Sequence, residues 1–251
     1  MARVYKPHPP KKKQPFYACF KVIMRRIFKR PEIINLAGEL AEKSIVIANH
    51  SNKSAPPSLD LYYPKRCYKW GHYLMFGTYK ERKAYLRDVL YIQKCGRKPG
   101  FKTSFVSGLL AFFSRAMYKG MRMMPSYPDA RLARQLKDSC KFLDANYSIM
   151  VFPENSNEGY KDVLTEFFPG FVMLSDSYYK QTGEDLPVYP VYYSIKKRLM
   201  VIGKPLYLQE MAKEGLNRYQ IAEKCKDVVN QLYFDYVENY QKPEKRTKTK
   251  K

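Results

Sequence analysis

The chain has 251 residues, 45% of them hydrophobic, which is enough to bury the core of one globular domain with a small appendage. Its 46 lysines and arginines against 23 acidic residues give a formal charge of +23, so its partner should be anionic: nucleic acid, an anionic bilayer or a phosphorylated ligand. The five cysteines are scattered, with no two at C-x-x-C spacing. That argues against a disulfide framework or a zinc site and fits reduced thiols in the cytoplasm.

In chain order, residues 1–15 are basic and proline-rich, as are residues 242–251, and both predict disordered tails with almost nothing to bury. The next segment, 16–43, opens with a basic amphipathic stretch. Phe16, Phe20, Ile23, Met24 and Ile27 recur at helical spacing, while Lys21, Arg25, Arg26, Lys29 and Arg30 fill the other side. This pattern describes a helix lying in a membrane interface, or one packed on the domain with its charges solvated. No run approaches the roughly 18 apolar residues needed to span a bilayer, and the charged N-terminus lacks the small-residue cleavage site of a secretory signal.

Residues 44–241 read as one domain. Ser44–Ala48, Ser148–Phe152, Pro187–Tyr193 and Leu199–Ile202 predict short buried strands. Tyr79–Tyr91, Asp129–Asn146, Gly170–Gln181 and Asn217–Tyr240 predict helices, the last with Ile221, Cys225, Val228, Val229, Leu232 and Tyr236 on one face. Phe101–Met117 is a further helical pattern. Its Phe105, Leu109, Leu110, Phe112, Phe113 and Met117 suit a buried core helix or an interfacial one. Strands alternating with long helices imply an α/β domain with a mixed, largely parallel central sheet flanked by helices, plus the N-terminal amphipathic helix. Sites in such folds sit at the carboxyl ends of strands, and His50 and Glu154 each follow a strand immediately.

His50 is one of three histidines; His8 lies in the tail and His72 in Trp70-Gly71-His72-Tyr73. An imidazole with a pKa near 6.5 can take the proton of an alcohol as that alcohol becomes nucleophilic. A carboxylate on the other ring nitrogen fixes the tautomer and stabilises the imidazolium. The run Phe152-Pro153-Glu154-Asn155-Ser156-Asn157-Glu158-Gly159-Tyr160 ends a strand in a tight polar turn able to present a carboxylate and backbone N–H groups to a crevice. Taken singly, the histidine reads first as a capping or loop residue hydrogen-bonded to backbone, and the turn is also ordinary turn chemistry.

In order and spacing, these segments resemble the four blocks of the glycerolipid acyltransferases typified by 1-acyl-sn-glycerol-3-phosphate (lysophosphatidic acid) acyltransferase. Asn49-His50 with Asp60 resembles N-H-x4-D. Gly120-Met121-Arg122-Met123-Met124-Pro125 resembles the glycine-led block that runs to an arginine. Phe152-Pro153-Glu154 with Asn155, Ser156 and Asn157 resembles F-P-E-G-x-R-S, with Phe168-Pro169-Gly170-Phe171 after it. Leu186-Pro187-Val188-Tyr189-Pro190-Val191 resembles the V-P-V-type strand.

The resemblance implies direct transfer of a fatty acyl group from coenzyme A, acyl carrier protein or an acyl phosphate to a lysophospholipid hydroxyl, with His50 as base and Asp60 as its partner. Glu154, Arg122 or Arg131, and Asn155, Ser156 and Asn157 would hold the acceptor, an arginine engaging its phosphate. It implies no cofactor beyond the acyl donor, and a peripheral position on the cytoplasmic face of an anionic membrane. No metal is expected, because the two non-tail histidines are not at ligand spacing and carboxylate clusters are absent.

The chain departs from that pattern in places. Ala55 stands where the aspartate belongs, so Asp60 reaches His50 only if Lys53–Ser58 loops out, which Pro56-Pro57 favours. The second-block arginine falls at Ser126, and Asn155 and Asn157 replace the third-block glycine and arginine. A catalytically silent lipid-binding protein on the same scaffold is therefore the alternative. A specific nucleic-acid binder is disfavoured, because no helix-turn-helix, zinc-finger or RNP-like motif is present.

Overall fold

The computed structural model describes residues 15–51 and 54–241; the tails expected at 1–15 and 242–251 lie outside it except for Pro15. The four anticipated strands all form: β2 (Ile45–Ala48), β5 (Ser148–Val151), β6 (Pro187–Ser194) and β7 (Leu199–Ile202). They are apolar without alternation because their sheet is covered on both faces. Ile45 and Ile47 face one layer, with Leu143, Phe171, Leu174 and Val229. Val46 and Ala48 face the other, with Leu59, Met150, Tyr189 and Tyr193. The first layer is built by α5 (Leu132–Asp144), α6 (Gly170–Thr182) and α8 (Arg218–Tyr236).

Four further strands complete the sheet: β1 (Glu32–Asn35), β3 (Cys67–His72), β4 (Met123–Ser126) and the short β8 (Leu206–Tyr207). The order is β1-β7-β6-β2-β5-β3-β4, with β8 beside β6. From β6 to β4 all neighbours run parallel; β7 and β8 are antiparallel to β6. The sheet is thus mixed and largely parallel. Because β1 pairs with β7, the segment 16–43 is not wholly helical and contributes an edge strand to the domain.

Of the excursion expected over Lys53–Ser58, Lys53 lies outside the described residues, and from Ala55 onward the chain is instead helix α2 (Ala55–Tyr62). Pro56 and Pro57 fall in its first turn, where a missing N–H breaks no helical hydrogen bond. The next helix, α3, is α-helical over Tyr79–Ala84 and continues as a π-wound segment over Tyr85–Lys94.

Helix α4 (Phe101–Gly120) reverses the buried-core expectation: it buries Thr103, Ser107, Ala111 and Ser114, while Phe101, Phe105, Leu109 and Phe112 are exposed. Helix α1 (Pro15–Ile27) lies beside it. Tyr17 and Met24 pack inward with Met121 and Met123, and a Cβ on Gly120 would meet the Tyr17 ring at 2.2 Å. Val22, Ile23 and Ile27 point outward, while Phe20 meets Phe113 of α4 with ring centroids 5.6 Å apart. Both α1 and α4 thus leave apolar side chains exposed. Among the described residues, no helix is long and apolar enough to cross a membrane.

Candidate active site

The loop after β2 is fastened before His50 begins its turn. Asn49 donates from Nδ2 to the Tyr193 carbonyl at 3.0 Å and accepts the Tyr193 N–H at 2.8 Å, so it is stitched to β6. Ser51 adopts a left-handed backbone, with φ of 41°, and its Oγ accepts the Ile195 N–H at 3.1 Å. The His50 carbonyl then accepts the Ala55 N–H at 2.9 Å, which starts α2. These bonds fix where the imidazole sits at the carboxyl end of the sheet.

The neighbouring strand β5 delivers Glu154 to the same place. The Pro153 carbonyl takes the Phe168 N–H at 2.8 Å, and the Asn155 N–H donates to the Glu166 carbonyl at 3.0 Å, clamping the turn on both sides of the glutamate. Glu154 Oε2 accepts the His50 backbone N–H at 2.9 Å and lies 3.4 Å from His50 Nδ1. That second approach has ion-pair distance but not hydrogen-bond alignment, and Nδ1 is buried with no hydrogen-bond partner. A catalytic hydrogen bond is often this loose without substrate and tightens when the site fills.

The rings of Phe152 and Tyr160 flank the imidazole at centroid distances of 5.1 and 5.3 Å. With Nδ1 buried against Glu154 and the side chain 21% exposed, Nε2 is the nitrogen left to meet a ligand. A carboxylate thus lies behind the buried ring nitrogen while the other nitrogen is left free.

Asp60 does not join it. On α2 it accepts from Lys69 Nζ at 2.8 Å and from the Tyr17 hydroxyl, with Lys21 Nζ at 3.5 Å. Lys69, in mid-β3 and 3% exposed, gives its other protons to the carbonyls of Cys67 and Met121, both at 3.2 Å. Burial works to raise the Asp60 carboxyl pKa, but Lys69, then Tyr17 and Lys21, outweigh it and hold the group below its ordinary value. The pairing of Asp60 with His50 is therefore absent: a helix, not a loop, carries Asp60, and a buried lysine claims it.

The two arginines separate. Arg122 precedes β4 at its amino end, on a left-handed backbone with φ of 55°. Its charge acts on Tyr17 and Cys67, in the Asp60 neighbourhood rather than that of His50. Arg131 follows the carboxyl end of β4, but its guanidinium is closed onto Asp129, with Nη2 2.6 Å from Oδ2. It also lies over the rings of Tyr127 and Tyr73 at 4.3 and 4.9 Å.

Of the third-block residues, Asn155 is engaged with Glu166 and the turn, Asn157 is exposed, and Ser156 is buried. Ser156 Oγ accepts from Lys94 Nζ at 2.7 Å. Lys94 was not singled out by the sequence. It comes from the end of the π-wound segment, and one lysine among 46 basic residues carries no local signal. His72, at the end of β3, is stacked between Tyr73 and Tyr85; burial, then Lys94, lowers its pKa to about 4, so it is neutral at physiological pH. Among the described residues, no group of His, Cys, Asp and Glu could hold a metal ion.

No family model and no curated protein sequence matches the chain. Among solved structures it is similar to the 1-acyl-sn-glycerophosphate (LPA) acyltransferase PlsC from Thermotoga maritima, over 88% of this chain and 84% of that one, with 15% sequence identity and a TM-score of 0.43. A likeness at that level carries no residue roles across.

Proposed function

We propose that the protein is an acyltransferase that moves a fatty acyl group from a thioester or acyl-phosphate donor to the free hydroxyl of a lysophospholipid, 1-acyl-glycerol 3-phosphate in the first instance. The observation that carries this reading is the meeting of His50 and Glu154, 104 residues apart in sequence, at the carboxyl ends of β2 and β5, with the rings of Phe152 and Tyr160 beside the imidazole. His50 Nε2 takes the acceptor's hydroxyl proton while that oxygen attacks the acyl carbonyl. Glu154 stabilises the imidazolium, and the tetrahedral adduct then expels the thiolate or phosphate, which recovers the proton. A base so placed contributes about 10²- to 10⁴-fold to the rate. No acyl-enzyme is needed.

The substrates are amphiphiles, and the outer faces of α1 and α4 suit a bilayer surface. Exposed Val22, Ile23, Ile27, Phe101, Phe105, Leu109 and Phe112 supply the apolar contact. Arg25 and Arg26, in the last turn of α1, add attraction to anionic lipid of about 1 kcal/mol each. The reading is a peripheral protein on the anionic cytoplasmic leaflet. In vesicle flotation, the double variant Phe105→Ser, Phe112→Ser should bind phosphatidylglycerol vesicles several-fold more weakly. Unchanged flotation would remove α4 from the contact.

The chemistry is tested with the full chain, phosphatidylglycerol vesicles carrying lysophosphatidate, and labelled acyl-coenzyme A, acyl carrier protein and acyl-phosphate donors. Wild type should form labelled phosphatidate, and His50→Ala should not. Equal transfer by both proteins, or none with any donor across a panel of lysophospholipids, would leave the catalytically silent lipid-binding reading in its place.

A further inference from the structure

The third-block turn has a second visitor besides His50. The π-wound segment Tyr85–Lys94 ends against it: Gln93 Nε2 donates to the Asn157 carbonyl at 3.2 Å. Gly159, with φ of 98°, would bring a Cβ to 3.5 Å from the Lys94 carbonyl. Lys94 then turns its ammonium back into the turn, 2.7 Å from the Oγ of Ser156, itself 1% exposed. The ammonium also lies 5.9 Å from the centroid of the Tyr160 ring. That ring stands 5.3 Å from the imidazole of His50 on its other contact, so Lys94 and His50 share one aromatic wall.

The ammonium lacks a counter-ion in contact. Among the described residues, no carboxylate lies within 4.0 Å of Lys94 Nζ, although fourteen ion pairs form elsewhere. Its neighbours are a hydroxyl and a ring. Partial burial pulls its pKa down, and Glu154 opposes this from a distance, but the Oε2 of Glu154 is turned to His50. A half-desolvated cation whose contacts are all neutral is stabilised by any anion that reaches it.

We propose that Lys94, seated on Ser156, receives the phosphate monoester of the acceptor and so positions its hydroxyl for His50. The assignment rests on the acyl-transfer reading and fills the role that the sequence offered to Arg122 and Arg131. The first of these lies at the wrong end of β4, and the second is closed onto Asp129. A lysine serves as a compact point charge for phosphate where an arginine would form a planar fork.

The test is calorimetric titration of the full chain with 1-hexanoyl-glycerol 3-phosphate below its micelle concentration, and with 1-hexanoylglycerol as the neutral control. Acyl transfer is measured on the same preparations. Wild type should bind the phosphate ester at least tenfold more tightly than the neutral control. Lys94→Gln should abolish that preference while melting within a few degrees of wild type, and Lys94→Arg should restore it to within about threefold. In the assay, Lys94→Gln should raise the KM for lysophosphatidate with little change in kcat or in the KM of the acyl donor.

The proposal is overturned if wild type shows no preference for the phosphate ester, if Lys94→Gln keeps it, or if the loss falls on the donor's KM. A Lys94-dependent phosphate preference in a protein that transfers no acyl group would support the anion site and refute the acyl-transfer reading. Normal transfer and normal KM in Lys94→Gln would do the reverse.

Discussion

Asp60 and Glu154 are equally buried carboxylates, each with a side chain 4% exposed and a basic partner, yet their surroundings differ. Around Asp60 the network is closed. The three protons of Lys69 all have acceptors, Tyr17 and Lys21 complete the shell, and the cluster ties α1 and α2 to β3. Around Glu154 the network is open. Its partner is an imidazole with one buried nitrogen lacking a hydrogen bond and a side chain still 21% exposed. On the acyl-transfer reading the difference separates the two better than burial or charge does: the satisfied pair holds the fold, and the unsatisfied one is the candidate site.

The contrast can be broken first at Asp60. Replacing Asp60→Asn leaves the Lys69 ammonium buried without its counter-charge and should lower stability by about 3 kcal/mol in urea unfolding. Tyr17→Phe, which removes one hydrogen bond from the same cluster, should lower it by about 1 kcal/mol. The pH dependence has a fixed sign. The folded pKa of Asp60 is depressed, so its contribution is present above the unfolded value and is lost as pH falls below about 4. Wild type should therefore lose stability on that limb, and Asp60→Asn should lose less. Identical acid limbs would mean that Lys69 does not hold the carboxylate charged.

The comparison also shows what a sequence can disclose. Strands β2, β5, β6 and β7 were legible because burial on both faces forces uninterrupted apolar runs, and α8 because Ile221, Cys225, Val229 and Leu232, all buried, recur at helical spacing. His50 and Glu154 were legible as residues that directly follow such strands. Strand β3 was not, since Lys69 interrupts it and is tolerated there only because Asp60 arrives from a separate helix. Strand β4, Met123–Ser126, carries Pro125 at the edge of the sheet, where a lost N–H is harmless.

Helix α4 gave a clear amphipathic pattern whose direction was hidden. Periodicity shows that two faces differ, not which of them is covered. Its small face is inward because Arg82 reaches in from α3, donating from Nε to the Ala111 carbonyl at 3.3 Å and to Ser114 Oγ at 3.0 Å. Lys94 was invisible for a related reason: what distinguishes it is the absence of a contacting counter-ion, and that is a property of the folded neighbourhood.

The most direct test measures kcat/KM for acyl transfer to lysophosphatidate in Glu154→Gln and Asp60→Asn side by side, each corrected for its folded fraction. If Glu154 backs the base, Glu154→Gln should lose about 10²-fold or more, in the manner of a lost carboxylate partner of a catalytic histidine. Asp60→Asn should then stay within a few-fold of wild type despite its lower stability. A large loss in Asp60→Asn with near-normal turnover in Glu154→Gln would contradict the account.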